Sequence, residues 1–384
     1  MNSLSMDIGH IMKTNVDNMV IKYAEKVTYE LSKKYNFNNE DAYKYICDLI
    51  NNNDNIKSKN REKNKSKIRE EKKSEIGEEK KSEIGVNINI ELSDDIDYEM
   101  IRRELLEKGY CVVPNILSNE DIEYCKELFK EWQTTIPNHD DIHNKISPHG
   151  IYKFHGAGHT RYAWYIKTRP RVQNIFKYLW NTDELVVSFD GSCYIPKNLK
   201  KKDKIWTHTD QAPNSKGLQC YQGLVALTSN KERTLRLYEG THLYHEKYFK
   251  EKNINSSKNW QLIDHETLHN INDKKRVLHI SAGSLVLWDS RIFHQNQYGL
   301  PNSEERMVQY VCYLPKNHIK NTTNMQNKRR KYFHDKRTTS HWPCPIYVNG
   351  IQPQTYGDNS RLIDYDSLSQ PYLDDLYQEI YKLL

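Results

Sequence analysis

The sequence predicts a mainly β fold, a sandwich or barrel with helices packed on one face and a small helical unit ahead of it. Three observations carry that reading. From Asn181 onward short apolar or alternating runs recur at close spacing, with Gly and Pro between them. Residues 94–180 instead repeat their apolar positions at helical period, and before residue 93 the composition turns sharply polar.

The chain of 384 residues divides accordingly. In residues 1–50, Val16, Met19, Val20, Tyr23, Ala24, Val27 and Leu31 form one helical stripe. A second helix is expected from Asn39 to Leu49, opened by Asn38 and turning Ala42, Tyr45, Ile46 and Leu49 inward. So small a unit buries little by itself, so it is expected to dock on the main domain or on a partner. Residues 51–92 read as a charged, disordered linker in which the octapeptide Glu70–Gly77 repeats as Glu78–Gly85. Between Lys57 and Gly85, 11 Lys+Arg face 7 Glu, so most of the net charge of +6 sits there. The remainder is near neutral, which argues against nucleic-acid binding by the core. Such contact, if any, falls to the basic linker. Residues 93–384 form the main domain.

Within that domain, 94–107 reads as a helix with Ile101 and Leu105 inward and Gly109 as its stop. Residues 110–114 are a short strand. Ser118 and Asp121 resemble a capping box that opens a helix burying Ile122, Cys125, Phe129 and Trp132. Another helix covers 170–180. Strands are expected at 185–189, 191–195, 205–210, 223–228, 234–238, 277–280, 284–288, 293–297 and 306–314, with 250–273 a polar, partly helical insertion. Residues 337–345 read as an ordered loop, and 371–384 as a last helix burying Leu373, Leu376, Ile380 and Leu383.

Composition bounds the setting. Hydrophobic content of 37% is low, and no apolar run approaches membrane-spanning length. The polar start is not a signal peptide. Seven scattered cysteines without a Cys-x-x-Cys pair read as reduced thiols. These features lead to the expectation of a soluble, intracellular protein.

The chemistry centres on His208 and Asp210 in Trp206-Thr207-His208-Thr209-Asp210-Gln211. On a strand, residues i and i+2 leave the same face, so imidazole and carboxylate converge. A second copy, His139-Asp140-Asp141, lies in a polar turn stretch without alternation and is set aside. His294 follows an apolar run and an Asp-Ser turn, and completes two histidines and one carboxylate. Such a set leaves three positions open on iron(II), which suits an α-keto acid plus O2. A turn at 298–302 makes His294 and Arg306 equidistant from residue 300, so a hairpin would set them directly opposite on one face. A guanidinium there is shaped to grip a carboxylate, with Arg291 as its competitor. Gln222 and Tyr194, on neighbouring strands, are candidates to contact the co-substrate or to be satisfied core polar groups. His242 is expected to stabilise its own turn. His155, His159, Arg161 and Trp164 form a polar-aromatic cluster, of which Arg161 and Trp164 are candidates to line a substrate cleft.

These residues resemble the phytanoyl-CoA dioxygenase-like branch of the iron(II)/2-oxoglutarate oxygenases. The resemblance rests on Trp206–Gln211, on Leu237-Tyr238-Glu239-Gly240-Thr241-His242, on Gly283–His294 and on Arg306, and covers roughly 93–384. It sharpens the fold to a double-stranded β-helix, a cupin-like jelly roll. It implies iron(II) on His208, Asp210 and His294, with 2-oxoglutarate and O2 as co-substrates and ascorbate as a possible reductant. Hydroxylation of a small molecule with release of succinate and CO2 is the implied reaction. Asp210 fills the position a halide would need, which favours hydroxylation over halogenation. Two positions differ from the pattern. Glu239 replaces the turn's usual proline, and Asn296 stands where a hydroxyl residue commonly reaches the co-substrate. The competing reading is a catalytically idle jelly-roll binding module whose N-terminal helices and linker hold partners or nucleic acid, and the intact ligand set argues against it. No motif singles out a CoA site over a nucleoside, amino acid, lipid or sugar.

Overall fold

The computed structural model describes residues 93–136, 139, 149–200, 203–348 and 350–384. The two helices expected within 1–50, the repeat-bearing linker, and Asp140 and Asp141 of the second His-x-Asp copy lie outside the described residues.

Two antiparallel sheets build the domain. The first runs in the order β1 (Tyr110–Val113), β9 (Leu285–Asp289), β5 (Tyr221–Ala226), β11 (Arg306–Pro315), β2 (Leu185–Val187), and β3 (Ser192–Ile195) also pairs with β11. The second runs β7 (Gln261–Leu262), β4 (His208–Thr209), β10 (Phe293–Asn296), β6 (Leu235–Tyr238), β8 (Lys275–Val277). Between β4 and β6, and again between β9 and β11, successive strands alternate between the sheets. That winding is a double-stranded β-helix, a jelly roll closed by its two facing layers.

Strand alternation separates two cores. Met307, Val311 and Tyr313 of β11 face the helical layer, made of α1 (Tyr98–Glu107), α2 (Asn119–Thr134), α3 (Arg161–Lys167) and α4 (Pro170–Trp180). Val308, with Cys193, Ile195, Leu224 and Leu237, fills the space between the sheets. The helix starts follow their sequence signals. Ser118 and Asp121 form the reciprocal capping box of α2, Asp97 caps α1, and Pro170 occupies the first turn of α4.

Three helices beyond those expected are present, and none shows a clear apolar stripe against a polar face. In α3 the residues Tyr162, Ala163, Trp164, Ile166 and Lys167 are all buried, so no polar face contrasts with an apolar one. The expected turn at Gly240 instead opens α5 (Thr241–Glu251), and α6 (His265–Asn270) lies in the polar insertion. The fully inward residue of α7 (Thr323–His334) is Arg329, which donates to Asn321 Oδ1 and the Pro343 carbonyl. A last short helix, α8 (Tyr377–Lys382), follows a 3-10 turn, with Leu376, Ile380 and Leu383 buried as expected. The strand read at 205–210 is formed only at His208–Thr209, and the one read at 277–280 ends at Val277.

Gly109 ends α1 with φ +85°, and a Cβ there would stand 2.4 Å from His242 Nδ1. Gly109→Ala is therefore expected to cost at least about 1–2 kcal/mol through the left-handed backbone alone. Thermal unfolding of the variant should show a midpoint lowered by several degrees with its secondary structure retained.

Candidate metal centre

The site starts from one cross-strand pair. In the antiparallel pairing of β4 with β10, His208 lies directly opposite His294, and the two rings are 4.5 Å apart. Asp210 follows two residues after His208 and returns to the same face. His208 Nε2 is 3.5 Å from Asp210 Oδ1, and His294 Nε2 is 3.2 Å from Asp210 Oδ2. Among the described residues this is the one cluster of three His, Cys or acidic groups with metal-ligating proximity, its ligand atoms all within 4.8 Å of one another.

Each imidazole is held in one tautomer. His208 Nδ1 is 3.2 Å from the Trp206 carbonyl and His294 Nδ1 is 3.0 Å from the Ile292 carbonyl. A carbonyl only accepts, so both Nδ1 atoms carry the proton and both Nε2 lone pairs point at the shared centre. Asp210 Oδ2 also accepts from Gln222 Nε2 at 2.9 Å, while Gln222 Oε1 accepts from Trp288 Nε1 at 3.0 Å. Burial pushes the Asp210 carboxyl up, but His341, His208 and His294 outweigh it and hold the group well below the usual carboxylate range. Burial likewise lowers the His208 imidazole, against the pull of Asp210. Two imidazoles with Nε2 turned to the centre and one carboxylate, all three buried, are the donor set that iron(II) takes in a facial arrangement.

Arg306 reaches the same interior by another route than expected. No hairpin joins it to His294: β10 lies in the second sheet between β4 and β6, β11 lies in the first, and Arg306 is opposite Ile195 of β3. The inner faces of both sheets nevertheless meet in one interior. Arg306 is fully buried, and its Nη2 donates to Asn296 Oδ1 at 3.0 Å across the gap. Asn296 Nδ2 in turn donates to the Tyr310 hydroxyl at 2.8 Å. Arg306 Nε and Nη1 have no protein partner. A buried guanidinium with two idle donors is a site for an anion. Arg291 offers no such site, because Asp289 takes its Nε at 2.9 Å and its Nη2 at 2.6 Å.

A cavity of about 720 Å³ opens over the three candidate ligands and reaches Gln222, Asn296 and Tyr310. Several other sequence candidates lie elsewhere. Tyr194 leaves β3 on the face opposite to Cys193 and Ile195, packs on Phe129 of α2 and donates to Glu305 at 2.8 Å. One step of strand parity removes it from the co-substrate side. Arg161 forks onto Asp375, at 2.7 and 2.9 Å, and Trp164 is a core residue of the helical layer, so neither lines the cavity. His159 is a buried core histidine whose pKa burial takes down to about 3. His242 reaches the Leu106 carbonyl at the end of α1 rather than its own turn.

Conversely, Tyr310, Trp260 and His341 face the cavity and were not found in the sequence. Tyr310 was within reach, since it shares strand parity with Arg306. The other two come from loops with no local signal.

A jelly roll carrying two histidines and an aspartate at the centre of its minor sheet defines the class of non-haem iron/2-oxoglutarate oxygenases. The chain belongs to the phytanoyl-CoA dioxygenase (PhyH) family, which it matches over residues 105–297. It is similar to Ava biosynthesis cluster protein O of Aspergillus versicolor, at 28% identity over 238 residues, 56% of this chain and 77% of the relative. Among solved structures it is similar to EctD from S. alaskensis with 2-oxoglutarate and 5-hydroxyectoine, at TM-score 0.40 and 14% identity over 60% of this chain and 81% of that one. Another is HygX from Streptomyces hygroscopicus with nickel and 2-oxoglutarate bound, at TM-score 0.41 and 12% identity over 57% and 87%. Among the described residues no helix is long and apolar enough to cross a membrane.

Gln222→Leu keeps the volume and removes the donor to Asp210. Anaerobic titration with iron(II) should show affinity lowered by about 10–100-fold, the usual consequence of losing a group that orients a ligand.

Proposed function

We propose that the chain hydroxylates a small-molecule substrate with iron(II), 2-oxoglutarate and O2, releasing succinate and CO2. His208, Asp210 and His294 hold the iron, and Arg306 grips the distal carboxylate of 2-oxoglutarate. The observation that carries this reading is the convergence of two imidazoles and one carboxylate, together with a buried guanidinium with idle donors that is hydrogen-bonded to Asn296, two residues beyond His294. Bound iron(II) supplies O2 activation coupled to oxidative decarboxylation of the keto acid.

The chain's own residues supply position. The Trp206 and Ile292 carbonyls hold the imidazoles in the ligating tautomer, and Gln222 fixes the carboxylate plane. Asn296 holds Arg306 at Nη2, which leaves the Nε and Nη1 donors for a carboxylate, and Tyr310 steadies Asn296. Asn296 thus serves the co-substrate through Arg306. Asp210 as a protein ligand supports hydroxylation over halogenation.

Metal content and co-substrate binding test the assignment separately. His294→Ala should lose most bound iron while keeping its thermal transition, because one of three protein ligands is gone. Stoichiometric iron retained by that variant would sink the ligand set. Arg306→Ala should weaken 2-oxoglutarate by about 30-fold to 700-fold, the equivalent of about 2–4 kcal/mol for a lost charge-assisted fork. Arg306→Lys should recover part of that, since an ammonium keeps the charge without the planar fork. Unchanged co-substrate affinity in Arg306→Ala, with a loss in Arg291→Ala, would transfer the carboxylate to Arg291. Succinate release with iron(II), ascorbate and 2-oxoglutarate reports the reaction itself.

A further inference from the structure

We infer that the cavity takes a flat, ring-bearing small molecule with a hydrogen-bonding substituent, laid against Trp260, rather than an acyl-CoA thioester. This rests on the oxygenase reading above and names the substrate class for the same site.

Aromatic surface is concentrated at this cavity. Trp206, Trp260, Trp288 and Trp342 line it, four of the seven tryptophans of the chain. Two of them flank His208, Trp206 stacked on it and Trp260 tilted to it. The Trp206 ring is 4.9 Å from His208 at 15°, and the Trp260 ring is 5.4 Å from it at 34°. Trp206 already carries His149 on a ring face, 3.8 Å away at 26°, so the half-exposed Trp260 is the ring that offers a face to a planar ligand, and offset stacking is the geometry such a face favours.

Trp260 is built for presentation rather than for the core. It is 43% exposed, and its backbone sits at φ +68°, a conformation that bulky residues rarely adopt. Its neighbours hold it there. Asn259 Oδ1 accepts from the Ala212 N–H at 3.1 Å, and Gln261 and Leu262 pair with Thr209 and His208. A half-exposed indole at a left-handed position does little for the fold that a glycine would not do with less strain. Strain of this kind persists where a ligand needs the side chain.

The far end of the cavity is polar. Asp190 Oδ2 and His341 Nε2 have no hydrogen-bond partner, although both residues line the cavity. Asp190 keeps a buried counter-ion, Lys167, 3.9 Å from its other oxygen, so the open oxygen is an acceptor for a hydroxyl or N–H. The cations lining the cavity are Lys153 and Lys258, set against the carboxylates of Asp190 and Asp210. Among the described residues no arginine lines it, so the cavity is not fitted to the several phosphate charges of a CoA thioester.

The test uses the full chain loaded with iron(II) under argon, titrated calorimetrically first with 2-oxoglutarate and then with 2-naphthol, 1-hydroxyanthraquinone or hexadecanoyl-CoA. The expected result is that at least one ring compound binds and the thioester does not. Trp260→Gly should weaken ring binding by about tenfold or more and Trp260→Phe by about threefold at most, as fits loss or retention of a stacking face. The thermal midpoint of Trp260→Gly should hold or rise, because glycine takes φ +68° without penalty. A lower midpoint with unchanged ring binding would make Trp260 a structural residue and overturn the inference. So would binding of hexadecanoyl-CoA in place of the ring compounds, or binding of neither ring compound to protein that binds 2-oxoglutarate. Failure of 2-oxoglutarate itself to bind would bring down the oxygenase reading and this inference with it.

Discussion

The pairing of His208 with His294 is the contact on which the rest of the site depends, and the strand that makes it is only two residues long. So short a ladder cannot hold register alone. The opposite face of the same segment does that work. Thr207 Oγ1 and the Trp206 N–H both donate to Gln295 Oε1, at 2.7 and 3.1 Å. Thr209 Oγ1 and the Gln211 N–H both donate to the Ser290 carbonyl, each at 3.1 Å, and Ser290 Oγ donates back to Gln211 Oε1 at 2.8 Å. Residues 207, 209 and 211 therefore anchor the segment to β10 and the turn before it, while His208 and Asp210 are left facing the cavity. Because alternation assigns the two tasks to alternate residues, a slip by one position would turn His208 and Asp210 away from the cavity and the anchors into it.

Around that pair the fold keeps several charged or polar groups out of water with incomplete partners. Arg306 has two idle donors, Asp190 one idle oxygen, and His341 one idle nitrogen. Buried groups of this kind cost stability, which is why interiors seldom contain them without a reason. Other buried groups with an unpaired atom, such as Asn230, Arg233 and Arg329, lie elsewhere in the domain, but these three gather at one place. Arg306 holds Asn296 and Asp190 stands beside His341, so each is part of, or joined to, the wall of one cavity. At this cavity the idle bonding capacity is available to ligand atoms.

What was legible in the sequence followed from period. The i, i+2 rule brought His208 and Asp210 together, the capping box gave the start of α2, and alternation gave the length of β11 almost to the residue. What was not legible followed from topology. Arg306 was placed on the inner face by a hairpin that does not exist, since β10 and β11 belong to opposite sheets. The residue survived because both sheets present inner faces to the same interior, so parity mattered and pairing did not. Tyr194 failed on parity alone, while its neighbours Cys193 and Ile195 point inward. Arg161 and Trp164 failed for a different reason: clustering in sequence on α3 put them together in the helical layer, away from the sheets' interior. His341 has no periodic neighbour at all, and only the return of residues 338–342 to the cavity gives it a role.

The insertion at 250–273 reads in the sequence as a polar, partly helical segment that interrupts the strand series. In the fold it supplies β7, which pairs with β4 at His208↔Leu262 and Thr209↔Gln261. Without β7, the ligand-bearing strand would be the edge of its sheet, with its outer backbone groups open to water or to another chain. The same segment carries Trp260, two residues before Leu262. Ligation and the cavity wall are thus joined through one short ladder, with His208 paired to His294 on one side and to the insertion on the other. The loop that carries Trp260 and the strand that positions His208 therefore share backbone hydrogen bonds, so the cavity mouth and the candidate metal centre rest on the same two strands.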